Sequence, residues 1–547
     1  MKNDDFKSSS WIYGHSNLWK LSLKVILTSL SLSLLLGIYI FADQMIIIKL
    51  VPTDGVNYLK QYFASVNQLG LFNQVFEYVT SQINTPNYLP EVEVFNERFI
   101  SFVANQLGIF SLIALSLGSL ISAGASILFS KSFAKKDGIN NKSQIISTSF
   151  YSSLLIGIIL VIIMTSIQNY ILKSMQPSIN ENSFTTNEFI DNKTLFLYAK
   201  TYYEAVVYQA SRYTYFVNAN ILFICITSLF VFLLRAEGKI GVVTVIGLSC
   251  NVLNILLDLL LIVVFRVGVI GGGIATFVGQ LVNLLFIFLY LVYLNKNNLT
   301  EITFQNIFKF NYDWRVFGSS ISLGSASFIR ESTLAIANVV YVGVFVNTLQ
   351  KINSAALTSY GSLNATTIYN LFLLSIFGIV DGLRPIISFN YYANKHDRVV
   401  RSYWIALIFS LIYSLIVILL TFLVVCLSDN VKEFLNAKNA YDKKNLLILL
   451  TTLMLQFPFI SLSVGGFAFF QSTDQKIWNI VLATMQTIIV FYPTLFINSK
   501  IAEILANDTL MVFTGFISIS ISSLIIFVIT LIYLQKLKNK KVNNLNL

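Results

Sequence analysis

Charge is what this chain lacks most. Only 12% of its 547 residues are Asp, Glu, Lys or Arg, about half the usual soluble share. That excludes an ordinary soluble enzyme. Histidine and cysteine are scarce as well. His15 and His396 both lie in polar flanks, which excludes a His-rich metal centre. Cys225, Cys250 and Cys426 lie in separate apolar runs, without metal spacing and too few for a disulfide framework. Proline is rare, and those inside long apolar runs (Pro385, Pro458 and Pro493) all fall in the second half of the chain. Pro385 is expected to bend its run.

Apolar residues are what the chain has instead: 55% of the total, with 45 Phe and 27 Tyr among the aromatics and a mean hydropathy of +0.71. Runs of about 20 apolar residues are long enough to cross a bilayer. Twelve can be traced: 21–48, 100–130, 144–173, 213–234, 240–265 and 269–294, then 318–346, 359–390, 402–427, 445–470, 477–497 and 509–534. The first, beginning near Leu18, is too long for a signal-peptide core and lacks a small-residue cleavage site, so it is expected to be retained.

The net charge of +11 speaks to topology rather than to nucleic acid, because Lys and Arg collect in cytoplasmic loops. The short basic loops show it best (Lys131, Lys135, Lys136 and Lys142, then Lys395, Arg398 and Arg401). The count is roughly 20 bases on one face against 14 on the other, which puts both termini in the cytoplasm. The basic run at 538–541 fits the same role and a contact with anionic lipid.

The two halves repeat one plan. Residues 118–137 and 378–397 share Gly118 and Gly378, Ile127 and Ile387, Phe129 and Phe389, Lys135 and Lys395, and Asp137 and Asp397. Each stretch closes a span at a basic loop, as in transporters built from two parallel halves with substrate between them. The expected organisation is an N-terminal cytoplasmic segment 1–20, an N-lobe 21–294 with long outer segments 49–97 and 174–205, a cytoplasmic linker 295–316, a C-lobe 317–534, and a basic cytoplasmic tail 535–547.

A few ionisable groups lie inside the spans, where charge is expensive and marks function by default. Asn254 and Asp258 are one turn apart and share a helix face, with Asn251 one turn earlier. Asp381 and Arg384 can pair along one helix. Arg330 and Glu331 are neighbours that point apart, so each wants a partner elsewhere. These second-half charges either fix lobe packing or line a central cavity, where Glu331 or Asp381 would attract cationic substrates.

Four stretches together resemble the MATE (multidrug and toxic compound extrusion) transporters of bacteria and archaea: LRAEG at 234–238, NVLNILLDLLLI at 251–262, VGVIGGGIATFVGQ at 267–280 and FGIVDGLRPIISFNYYANK at 377–395. The resemblance implies an all-α polytopic membrane protein with twelve transmembrane helices in two six-helix lobes that form a V around a central cavity. It also implies export of amphipathic or cationic compounds coupled to inward Na⁺ or H⁺. Carried over residue by residue, the cation site comprises Asp43, Asn254, Asp258 and Thr276. Those are hard oxygen ligands suited to a monovalent cation such as Na⁺, and two neighbouring carboxylates do not both stay ionised unless a cation is bound. The sequence departs from the family in having no proline in the first span or at the opening of the seventh.

The expected protein is therefore a monomeric multi-pass transporter of the cell membrane, not an enzyme, with a small-molecule substrate, no cofactor beyond the coupling ion and no nucleic-acid partner. The alternative is a flippase for lipid or a lipid-linked oligosaccharide. It requires a strongly cationic cavity, whereas Arg330 and Arg384 stand against Glu331 and Asp381.

Overall fold

The computed structural model describes residues 11–82, 99–134, 142–176, 191–352, 356, 359–360, 363–437, 439–473 and 475–545. Among them there is no strand. The first half comprises α1 (Trp11–His15), α2 (Leu18–Leu50), α3 (Pro52–Ser65), α4 (Leu69–Gln82), α5 (Phe99–Ala134), α6 (Lys142–Ser174), α7 (Asn192–Ala236), α8 (Ile240–Asp258) and α9 (Val269–Lys296). A short α10 (Phe304–Phe308) lies in the linker. The second half comprises α11 (Trp314–Ile352), α12 (Ala365–Tyr392), α13 (His396–Leu427), α14 (Asp429–Phe434), α15 (Ala440–Met454), α16 (Gln456–Ser472), α17 (Lys476–Thr484), α18 (Phe491–Leu505) and α19 (Thr509–Leu545). Counting α15 with α16 and α17 with α18 as single segments, twelve long helical segments run through the described residues, six in each half, and ten of them, all but α5 and α11, are long and apolar enough to cross a membrane by length and composition.

Local chemistry sets the ends and breaks. The Asn17 side chain accepts from the backbone N–H of Trp19 and Lys20 and so caps α2, and Asp191 caps α7 through Thr194. The tenth span restarts at Gln456 and the eleventh at Phe491, which puts Pro458 and Pro493 in the first turn of a new helix. There a missing N–H leaves no hydrogen bond unmade. Pro385, by contrast, lies inside the continuous α12. The fifth span passes into a π-helical turn at Leu259–Val264, directly after Asp258, and the eleventh does the same at Met485–Ile489.

α7 and α12 are the central helices. In their most apolar stretches 61% and 72% of residues are buried, against 22% in α6 and 28% in α13. The outward faces of α6 and α13 expose Leu155, Ile162, Leu415 and Leu419, as lipid contact requires. The halves meet along two seams, α2 against α12 and α5 against α11. At the second seam a Cβ on Gly124 would lie 1.9 Å from the Ser320 carbonyl oxygen, and one on Gly324 would lie 1.9 Å from that of Leu120. Glycine on both helices therefore permits backbone contact, the usual way helices approach closely in lipid.

The fourth span departs from expectation. Its helix begins at Asn192, not near residue 213, so much of the segment 174–205 is helical. The reason is tertiary. The 49–97 segment contributes α3 and α4, and these pack on the extension of α7 together with the start of α5: Phe63 of α3 meets Tyr198 with ring centres 5.1 Å apart, Thr201 donates to Gln68 in the α3–α4 turn, and Phe99 of α5 meets Tyr202 at 5.5 Å. Aromatic partners thus stabilise a stretch whose own charges (Lys193, Lys200 and Glu204) disguise it. Residues 83–98 and 177–190 lie outside the described structure.

Candidate cation site and cavity

The four residues expected at a cation site come together in the first half. Asp43 lies on α2, Asn254 and Asp258 on α8, and Thr276 on α9, and all four are buried. α2 supplies two side chains one turn apart, Tyr39 and Asp43. The Tyr39 hydroxyl shares a hydrogen bond of 2.9 Å with the Thr276 hydroxyl. The Tyr213 hydroxyl, on α7, donates to Asp43 Oδ2 at 2.6 Å. Asn254 Nδ2 donates to the Ala275 carbonyl oxygen at 3.3 Å. α9 comes this near because it opens on glycines: a Cβ on Gly272 would stand 2.9 Å from Asp43 Oδ1. Asp43 and Asp258 lie within electrostatic reach of each other and of Tyr39.

What this cluster lacks is donors. Asp43 Oδ1, Asn254 Oδ1 and both oxygens of Asp258 are buried with no hydrogen-bond partner among the described residues. Neither carboxylate has a Lys or Arg partner there. Buried polar atoms are almost always satisfied, and an ionised carboxylate removed from water without a counter-charge is costly. Four acceptor oxygens beside two hydroxyls suit a proton or a small hard cation. Asp43 is placed in the interior. It is 4% exposed and held by Tyr213, so it does not snorkel to an interface.

The cluster opens onto a cavity of about 270 Å³. α2, α5, α7, α8 and α9 of the first half wall it, and α12 of the second half closes it. Tyr39, Asn254 and Thr276 lie in its wall, as does Asn251. Its other end, near α1, is closed by Arg235 of α7 and Asp381 of α12, the only charged side chains lining it among the described residues.

The second-half charges meet partners along one helix and across the two halves. Asp381 and Arg384 do pair, Oδ1 to Nη1 at 3.0 Å, but Asp381 Oδ2 also meets Arg235 Nη1 at 3.5 Å, across the two halves. Asp381 is thus held between two arginines and is not a free carboxylate for a cationic substrate. Arg384 is fully buried, donates to Ser327 Oγ at 2.8 Å and does not line the cavity. Arg330 is also off the cavity wall, with its guanidinium carbon 4.7 Å from the Phe377 ring centre and 5.4 Å from that of Phe467. The Glu331 side chain lies outside the described structure.

Sequence reasoning missed Tyr39, Tyr213 and Arg235. Tyr39 was within reach, since it precedes Asp43 by one helical turn. Tyr213 carries no local signal in the tyrosine-rich stretch around it. Arg235 has the look of an ordinary loop-flanking charge until its partner on α12 is known.

Comparison with known proteins follows this geometry. No family model matches the chain. It is 26% identical over 498 residues to an uncharacterised MG447 homologue of Mycoplasmoides gallisepticum, covering 88% of this chain and 83% of that protein. It is 23% identical over 414 residues to the multidrug export protein MepA of Staphylococcus aureus, covering 74% and 80%. The crystal structure of MATE in complex with MaL6 superposes with a TM-score of 0.68 at 16% identity, covering 97% of this chain and 99% of the other. The chain is a multi-pass membrane protein with the fold of the MATE transporters, two six-helix lobes around a cavity, as its sequence motifs imply.

Proposed function

We propose that this protein is a secondary active transporter that exports amphipathic small molecules in exchange for inward Na⁺ or H⁺, by alternating access. One observation carries the reading: four buried acceptor oxygens on Asp43, Asn254 and Asp258 that have no donor among the described residues, at the edge of a cavity between the two halves. The carboxylate pair takes up a cation in one conformation and releases it in the other, because a ligand shifts an equilibrium by binding one state better. Tyr213 holds Asp43 in position, while Tyr39 and Thr276 join the site to the cavity wall, so that substrate and cation share neighbours. The similarity to MepA, whose name records multidrug export, supports efflux as the direction. On this reading the short basic loops and both termini face the cytoplasm, and residues 21–294 and 317–534 are the two moving lobes.

The test is efflux from proteoliposomes under an imposed Na⁺ or pH gradient. Asp258→Asn is expected to fold normally and to lose gradient-driven transport. Full coupled transport by that variant would end the proposal. One observation favours the flippase as a second reading, namely the arginine-flanked end of the cavity. Translocation of a labelled lipid-linked sugar, with no ion gradient imposed, would select it.

A further inference from the structure

We propose that the cavity receives its substrate by an anionic end, with the Arg235 guanidinium as the docking point; this deepens, and rests on, the export reading above. Among the described residues the cavity bears a single carboxylate, Asp381, and that one is spoken for. Its two oxygens meet Arg384 at 3.0 Å and Arg235 at 3.5 Å. A cationic substrate that took over this carboxylate would strip the counter-charge from two buried guanidinium groups, the costly way to break a buried ion pair.

An anion meets the opposite situation. A guanidinium carries five N–H donors in a fork that fits carboxylate, sulfonate or phosphate. Arg235 is 5% exposed and lines the cavity. Its one acceptor contact is that of Nη1 with Asp381, and its Nε is buried with no hydrogen-bond partner among the described residues. The surroundings add positive potential. The Phe232 ring centre is 5.5 Å from the guanidinium carbons of both Arg235 and Arg384, and Arg330 stacks behind Phe377, another cavity wall. Three guanidinium groups thus flank this end against one carboxylate among the described residues. Away from it the wall is apolar (Leu32, Leu36, Leu373) and amide-bearing (Asn220, Asn283). The fitting molecule is an amphiphile with an acidic group at one end and an apolar body. Because Arg235 belongs to α7 and Asp381 to α12, an anion bound to Arg235 competes with the bond that ties the two halves together at the α1 end.

The test is equilibrium binding to the full-length purified protein in nanodiscs of neutral phosphatidylcholine, with no ion gradient. The probes are a fluorescent naphthalene sulfonate and the cationic dye ethidium. The sulfonate is expected to bind saturably and ethidium not to. Arg235→Gln should weaken sulfonate binding by roughly tenfold or more, as expected for loss of a charge-assisted fork. Asp381→Asn, which removes the competitor and keeps an acceptor for Arg384, should tighten it. The Asp381→Asn arm does not depend on Arg235→Gln folding. Saturable ethidium binding tighter than that of the sulfonate, or sulfonate binding unchanged in both variants, would overturn the proposal. Displacement of the dye by added phosphatidylglycerol assigns the anionic group to a lipid headgroup, and failure of displacement assigns it to a soluble solute. Failure of the export reading shows elsewhere, in coupled transport that survives Asp258→Asn, with dye binding unaffected.

Discussion

The two halves of this molecule share a plan and differ in charge. Each has six spans, each presents a glycine to the other at the α5–α11 seam, and each carries a π-helical turn in its fifth crossing. In the first half that turn follows Asp258, and the carboxylates nearby have no cationic partner among the described residues. In the second half the same turn carries Gln486 and Thr487, and Thr487 shares a hydrogen bond with Thr333. The buried charges there include Arg330 and Arg384, placed against carboxylate, hydroxyl and aromatic faces, and Asp442, to which Ser359 donates. One scaffold thus holds two electrostatic conditions: acids left short of donors, and arginines given partners. Unsatisfied groups are where a ligand can make a difference to the energy of a conformation. Satisfied ones hold a packing in place.

That difference can be broken at either end. The largest effect is expected from Asp258→Asn. Gradient-driven efflux should fall to background while the melting temperature stays level or rises, since a buried carboxyl without donors is removed. Arg384→Ala should do the reverse in kind. The change empties the space of a fully buried side chain and removes its bonds to Asp381 and Ser327, and large-to-small changes in a packed interior are destabilising, so thermal unfolding should shift markedly and activity fall with it. Tyr213→Phe is intermediate. It deletes the 2.6 Å bond to Asp43, and a hydrogen bond to a charged group contributes roughly 1.5–3 kcal/mol, so the cation concentration for half-maximal transport should rise about tenfold or more. The smallest effect belongs to Asp429, on the short helix α14 beyond the spans. Hydrogen bonds from Lys432 and then Lys443 hold its carboxyl below the ordinary range. Its contribution is therefore present above that range and lost as pH falls below it. The group is fully exposed, so Asp429→Asn should leave the melting temperature at neutral pH unchanged.

How much of this was legible beforehand depended on the physical range of each cause. Asp43 and Asp258 stand out because a carboxylate in a membrane-length run has no cheap local explanation, and the Asn254 spacing to Asp258 is a property of one helix. The twelve spans and their parallel halves follow from hydropathy and from the paired basic loops. Arg235 was invisible as a cavity residue because its meaning depends on Asp381, far along the chain. The extension of α7 back to Asn192 was hidden for the same reason. Tyr198 and Tyr202 read as part of a polar segment until Phe63 and Phe99 are brought against them. Tyr213 illustrates the general limit, since a residue that positions another across two helices leaves no mark in its own neighbourhood.

The direct measurement for the first half is infrared difference spectroscopy on the purified protein, recording the protonated-carboxyl band as pH is raised or Na⁺ is added. If Asp43 and Asp258 share a proton that a cation replaces, the wild-type band should disappear under one or both treatments, and the change should be absent in Asp43→Asn and in Asp258→Asn. A difference spectrum in both variants identical to that of the wild type would contradict the assignment of the cation to this pair.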